Sequence, residues 1–114
     1  MALIFKIVAA EEWRAAEALG VFAGSAVDRQ DGYIHFSTAD QAPETAARWF
    51  ADRGDLILAA VEAGALGPAL RWEPSRGGAL FPHLHAPLSL SAVHSVVPLP
   101  LDAAGLHDFA SLLA

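Results

Sequence analysis

Apolar residues run almost unbroken from Ala2 to Val8, with Leu3, Ile4, Phe5, Ile7 and Val8 around the chain's single lysine, Lys6. Such a run predicts a strand covered on both faces. From Glu11 to Leu19 the period changes. Trp13, Ala16 and Leu19 recur on one side, Glu11 and Glu12 fill the first turn, and Gly20 suits a left-handed cap, which together predict an amphipathic helix. Val21 and Phe22 turn inward, and the stretch from Gly24 to Asp31 reads as a loop. Asp31-Gly32 is a turn dipeptide opening onto a short strand of Tyr33, Ile34, His35 and Phe36.

Thr38 and Gln41 have the spacing of a capping box, so a second helix follows, to about Asp52. Pro43 fits the first position of a helix that starts at Ala42. A first turn at Thr38 reconciles the two signals. Ala42, Thr45 or Ala46, Trp49 and Phe50 supply its apolar face. Leu56 to Val61 is the clearest buried strand. After a turn from Glu62 to Pro68 come a short strand around Leu70 and Trp72, a tight Pro74–Gly78 loop, an extended Ala79–Phe81, a last strand from Leu90 to Leu99, and a terminal helix or turn over Asp102–Ala114. The order β-α-β-α followed by mostly β predicts an α+β domain with two N-terminal helices and mixed or antiparallel sheets, not a doubly wound parallel sheet.

At 114 residues the chain is one domain, 1–114, and a hydrophobic content of 54% with mean hydropathy +0.38 excludes a disordered chain. No apolar run reaches the length of a membrane span. The start lacks the signature of a secretion signal, so a cytoplasmic location is expected. With no cysteine there is neither a disulfide framework nor thiolate chemistry. The net charge of −6 argues against broad nucleic-acid or anionic-membrane binding. The charge is uneven, however. From Ala63 to Leu101 the only acidic residue is Glu73, set against Arg71 and Arg76, and His83, His85 and His94 fall in the same stretch. A small anionic ligand fits there without the whole chain being basic.

Three groups of residues can carry chemistry. His35 and Ser37 lie two apart on the central strand, on one face, and end beside a helix N-terminus that suits an anion. The other reading is an ordinary strand-to-helix junction. His83 and His85 are also two apart. With His35 or Glu73 they are a candidate metal set, although Pro82 and Pro87 disturb the strand. Arg71, Ser75, Arg76, Gly77 and Gly78 together can clamp phosphate through guanidinium forks and close backbone approach. A hairpin in which an arginine pairs with Glu73 reads equally well. The loop is neither a P-loop nor a dinucleotide fingerprint. Ser25, Ser37 and Ser75 lack the context of a nucleophile elbow.

Several of these stretches together resemble a small bacterial family, domain of unknown function 952. They are Trp13, Gly24-Ser25, Asp31-Gly-Tyr-Ile-His-Phe-Ser-Thr38, Gln41, Glu44-Thr45-Ala46, Leu70-Arg-Trp-Glu-Pro-Ser-Arg-Gly-Gly78 and Leu80 to Leu84. That resemblance implies the ADP-ribosyltransferase fold, a compact α+β domain whose two small sheets form a cleft that holds NAD in active members. The RNA 2′-phosphotransferases of that fold are similar in the order of Tyr33-Ile-His35, Leu56 to Val61 and Trp72-Glu-Pro-Ser75-Arg-Gly-Gly.

By this resemblance His35 and Glu73 are the catalytic candidates. Lys6, Ser37, Thr38, Arg71, Ser75, Arg76, Gly77, Gly78, His83 and His85 would surround NAD. Lys6-Ile-Val stands where active members present a histidine on the first strand. The implied cofactor is NAD, with no metal, and the implied activity is ADP-ribosyl or phosphoryl transfer on a small anionic nucleotide-like ligand. The alternatives are a non-catalytic ligand-binding or regulatory domain, or a small metal protein built on His35, His83 and His85. Nothing in the sequence sets the oligomeric state.

Overall fold

The unbroken apolar runs are explained by cover on both sides. The computed structural model describes residues 2–109, 112 and 113, with the Arg76 side chain outside that description. In chain order the elements are β1 (Leu3–Ala9), α1 (Ala10–Leu19), β2 (Val21–Phe22), α2 (Ala26–Asp31), β3 (Ile34–His35), α3 (Ala42–Trp49), β4 (Leu56–Glu62), β5 (Leu70–Pro74), β6 (Leu80–Leu84), β7 (Leu88–Ser89) and β8 (Val93–Leu99). One antiparallel sheet has the order β1-β4-β8. Successive side chains of a strand point to opposite faces. On one face Ile4, Val8, Ala59 and Val61 join Trp13 and Ala16 of α1 with Ile34 and Leu84. On the other, Phe5, Ile7, Leu56, Leu58 and Ala60 meet Ala46 of α3 and Leu99.

A second antiparallel sheet has the order β3-β6-β5, and β2 pairs with β7. The two larger sheets are tied where Phe5 and Ser37 exchange backbone bonds of 2.8 and 2.9 Å. This bridge holds the end of β3 against Lys6, and so brings two distant stretches to one place. The result is a compact α+β domain with every named strand pair antiparallel.

Five expectations are corrected. The expected loop before β3 contains a helix, α2, so the described residues hold three helices and not two. A reciprocal box starts it: Ser25 caps Asp28, and Asp28 Oδ2 accepts from Ser25 N at 2.9 Å. Gly32, at φ 88°, closes it in the left-handed region. Leu19 and Trp49, read as buried, are 77% and 68% exposed. Helix α3 ends at Trp49, and the half-buried Phe50 takes the inward place. The last strand begins at Val93, because Leu90–Ala92 form a 3-10 turn after the unforeseen β7.

Of the helix or turn expected over Asp102–Ala114, the described part takes the turn. The Asp102 carboxylate accepts from Ala104 N at 2.8 Å and Leu106 N at 3.0 Å, which competes with helical bonding. The rest of that expectation falls on residues 110, 111 and 114, outside the described residues. The expected short Ala79–Phe81 stretch is the longer strand β6, whereas the capping signals before α3 hold. Thr38 N donates to Gln41 Oε1 at 3.0 Å and Gln41 N donates to Thr38 Oγ1 at 3.3 Å, and α3 then starts at Ala42 with Pro43 beside its start. No described helix is long and apolar enough to cross a membrane.

Candidate functional site

Register puts the chemistry on one face. His35 of β3 is the cross-strand partner of His83 on β6, and His83 is in turn the partner of Arg71 on β5. Directly opposed residues in a sheet share a face, so these three side chains do too, with Ser37, Phe81, His85 and Glu73 at steps of two. The opposite face carries Ile34, Leu84 and Leu70, which enter the core. The polar face opens into a cleft of ≈ 470 Å³. Lys6, Ser37, His35, His83 and Ser75 line it, together with Asp31, Tyr33, Thr45, Phe81 and the exposed Val27 and Trp49.

The floor of the cleft is a chain of ion pairs. Asp28, 1% exposed, meets Lys6 Nζ at 3.1 and 2.9 Å through its two oxygens. It also accepts from Ser25 N at 2.9 Å and from His35 N at 3.1 Å, and lies 2.6 Å from His35 Nδ1. Burial works against this carboxylate. The His35 bond, the Lys6 charge and the Ser25 amide overcome it and hold its pKa down, to about 2. Lys6 tells the other half. Burial lowers its pKa from the ordinary lysine value, and the ion pair with Asp28 offsets only part of that. Asp28 therefore gains from the pair, while for Lys6 the pair opposes the cost of burial without cancelling it.

The second nitrogen of His35, Nε2, lies 2.9 Å from Asp31 Oδ2, an exposed carboxylate at the end of α2. Ionised carboxylates only accept hydrogen bonds, so both nitrogens of His35 must carry hydrogen to satisfy both partners. The His83 ring, 3% exposed in the residue as a whole, places Nδ1 2.9 Å from Glu73 Oε1, and His85 Nε2 reaches the same oxygen at 2.8 Å. Bonds from His85 and then His83 depress the Glu73 pKa. Burial depresses that of His83, against the pull of Glu73 and helped by the neighbouring histidines.

Tyr33 roofs the group. Its ring stacks on His83 at 4.2 Å and lies 4.7 and 5.1 Å from His35 and His85. Burial, then the Asp31 and Glu73 carboxylates, push its phenol above the ordinary value. Ser37 Oγ sits 3.0 Å from Thr45 Oγ1, which itself donates to Gln41 O at 3.1 Å, so Ser37 is the donor and its lone pairs remain for a ligand.

The expected site residues divide. Lys6, His35, Ser37, Ser75 and His83 come together at the cleft. His85 and Glu73 stand behind His83 and do not line it. Thr38 is engaged in capping α3. Arg71 is exposed on β5. Gly77 and Gly78 adopt φ of 65° and 84° in the turn after Ser75, where a side chain would be strained. Two of the expected phosphate-cradling amides are spent inside that turn: Ser75 N on Ala79 O and Gly78 N on Ser75 O. The Arg76 side chain lies outside the described residues.

No group of three or more His, Asp or Glu among the described residues is arranged to hold a metal ion. His35, His83 and His85 turn nitrogens to carboxylates instead. The sequence reading missed Asp28, Asp31 and Trp49 as site residues. The one signal available was the Ser25-x-x-Asp28 spacing, which announces the helix carrying both carboxylates.

A family model described as protein of unknown function (DUF952) matches residues 7–96. Among curated proteins, none matches. Solved structures similar to this chain include two of one protein. The X-ray structure of protein CC0527 from Caulobacter crescentus is 53% identical, covers 97% of each chain and superposes with a TM-score of 0.93. The solution NMR structure of CC0527 is 54% identical, covering 100% of this chain and 98% of that one, with a TM-score of 0.89.

Proposed function

The chain belongs to the DUF952 family, a family of unknown function, and we propose that its cleft binds a nucleotide-like anion of the ADP-ribose class, with NAD the first candidate. One observation carries the reading. The cleft sets flat aromatic walls, Tyr33, Trp49 and Phe81, over a polar floor of His35, Ser37, Ser75 and His83. Flat rings suit a nucleobase or nicotinamide, and hydroxyl and imidazole groups suit ribose and phosphate oxygens. A volume of ≈ 470 Å³ falls within the usual range for small-ligand sites and accepts the nucleoside half of a dinucleotide. In this reading the remainder extends toward Arg71 and the Arg76-Gly77-Gly78 turn, where the sequence resemblance to the ADP-ribosyltransferase fold would put it.

In this reading His35 meets the ligand and Ser37 and Ser75 fix hydroxyls. Lys6 and Asp28 hold His35 from below. Thr38 sets the start of α3, and His85 steadies Glu73. Glu73 gives its Oε1 to His83 and His85, so it positions histidines and does not meet positive charge on a ribose. That contact favours a second reading, a domain that binds the nucleotide without transferring an ADP-ribosyl group.

Thermal unfolding with and without millimolar NAD or ADP-ribose tests the proposal. Ligand at about 100 times its Kd adds about 2.7 kcal/mol, roughly 10 °C in Tm for a chain of this length. No shift with either ligand overturns the reading.

A further inference from the structure

We propose that His35 and His83 form a general acid–base pair that hydrolyses a cyclic phosphodiester of a nucleoside at the floor of the cleft; the inference rests on the nucleotide reading above. The two residues are direct cross-strand partners and their rings lie edge to face, 5.5 Å between centroids. Both line the cleft. Each is held by a carboxylate, Asp28 for His35 and, shared with His85, Glu73 for His83. Two such histidine–carboxylate dyads side by side exceed what packing of the sheet needs.

Their surroundings give them opposite tasks. His35 faces Asp28 from one nitrogen and Asp31 from the other, an arrangement that requires the imidazolium. His83 gives its Nδ1 hydrogen to Glu73, which fixes the tautomer and leaves the lone pair on Nε2. No partner for Nε2 exists among the described residues. Burial lowers the His83 pKa, with His35 alongside acting in the same direction and Glu73 against it. The other groups facing the pair are Lys6 from β1, Asp31 at the end of α2, Tyr33 above, and His85 sharing Glu73.

An imidazole beside an imidazolium suits displacement of an oxygen that leaves as an alkoxide, because one proton is removed while another is delivered. Loss of nicotinamide needs no such acid, since it departs neutral. Opening of a ribose cyclic phosphate does. His83 Nε2 takes a proton from water as the water oxygen bonds to phosphorus. The bond from phosphorus to a ribose oxygen breaks, and that oxygen takes the Nε2 proton of His35. The product is the nucleoside monophosphate. His83 ends as imidazolium and His35 as imidazole, and exchange with solvent restores both. The exposed Asp31 carboxylate holds the place on His35 that the leaving oxygen takes, and it moves aside when the substrate enters.

The test incubates the protein with 2′,3′-cyclic AMP and follows the monophosphate by phosphorus NMR across pH. Hydrolysis is expected to fall away at acid pH, where His83 Nε2 already carries a proton and cannot take one from water. His83→Gln removes that acidic limb, and His83→Gln and His35→Gln each lower kcat about 100- to 10,000-fold. Should His83→Gln fail to fold, Glu73→Gln serves in its place. Loss of that negative charge moves the acidic limb to lower pH, which a merely structural role would not do.

Stabilisation by NAD or ADP-ribose with no monophosphate formed from 2′,3′-cyclic AMP overturns the acid–base pair and leaves the nucleotide reading standing. No stabilisation by NAD, ADP-ribose or 2′,3′-cyclic AMP overturns both. Hydrolysis whose rate and acidic limb survive both substitutions also overturns the pair.

Discussion

Asp28→Asn removes the charge on which the floor of the cleft is built. The carboxylate is 1% exposed, and Lys6, itself 5% exposed, relies on it for its counter-charge. Two effects act in the same direction. A pKa of about 2 against the ordinary aspartate value of 3.8 is worth roughly 2 kcal/mol to the folded state at neutral pH. Asparagine also leaves the Lys6 ammonium buried and unpaired, and breaking a buried ion pair from one side costs about 3–5 kcal/mol in all.

The pH dependence has a definite sign. The Asp28 pKa is depressed on folding, so its contribution is present above the unfolded value, near 4, and is lost as pH falls toward about 2. Urea unfolding at neutral pH should therefore separate wild type and Asp28→Asn by about 3–5 kcal/mol, a gap that narrows by roughly 2 kcal/mol between about pH 4 and about pH 2. Adding Lys6→Met to Asp28→Asn removes the stranded charge, and the double variant should recover at least about 1 kcal/mol. A single-variant loss under about 1 kcal/mol, or a gap that stays constant through the acid range, refutes the reasoning.

Three further outcomes follow from local geometry. In Gly24→Ala the new Cβ would stand 2.9 Å from Asp28 Cβ at a backbone φ of 109°; a loss of roughly 1–3 kcal/mol is expected in thermal unfolding. Ser25→Ala removes the hydroxyl half of the box that starts α2 and should cost about 1 kcal/mol by urea unfolding. Trp49→Ala, at a side chain 68% exposed on the mouth of the cleft, should change stability by no more than about 0.5 kcal/mol. Titration calorimetry with ADP-ribose should show it weakening binding about tenfold.

The elements legible in the sequence were those with a period or a cap. β1 and β4 showed as apolar runs because clusters of core residues cover both their faces. α1 announced itself through Trp13, Ala16 and Gly20, and the start of α3 through Thr38 and Gln41. α2 spans six residues, too short to show an apolar stripe, and only its Ser25–Asp28 box and Gly32 marked it. Trp49 was misread because an aromatic residue at helical spacing looks the same whether it points to the core or to the rim of a cleft.

The candidate site was half legible for a related reason. His35, Ser37 and His83 are chemically conspicuous, and their meeting required only that β3 pair with β6. Asp28 and Asp31 are two acidic residues among thirteen. Nothing local distinguishes a carboxylate buried under a histidine from one in solvent. That distinction arises only when the Phe5–Ser37 bridge carries β3 to Lys6. The same holds for Glu73, whose part as the shared acceptor of His83 and His85 depends on the strand register.

The claim that the cleft over His35 and His83 is the ligand site is tested most directly by histidine-ring nitrogen NMR of the wild-type protein during titration with ADP-ribose. The account predicts that Nε2 of His35 and Nε2 of His83 shift together and saturably, while His94 and His107, which do not line the cleft, stay in place. Saturable binding that moves neither His35 nor His83 would contradict it.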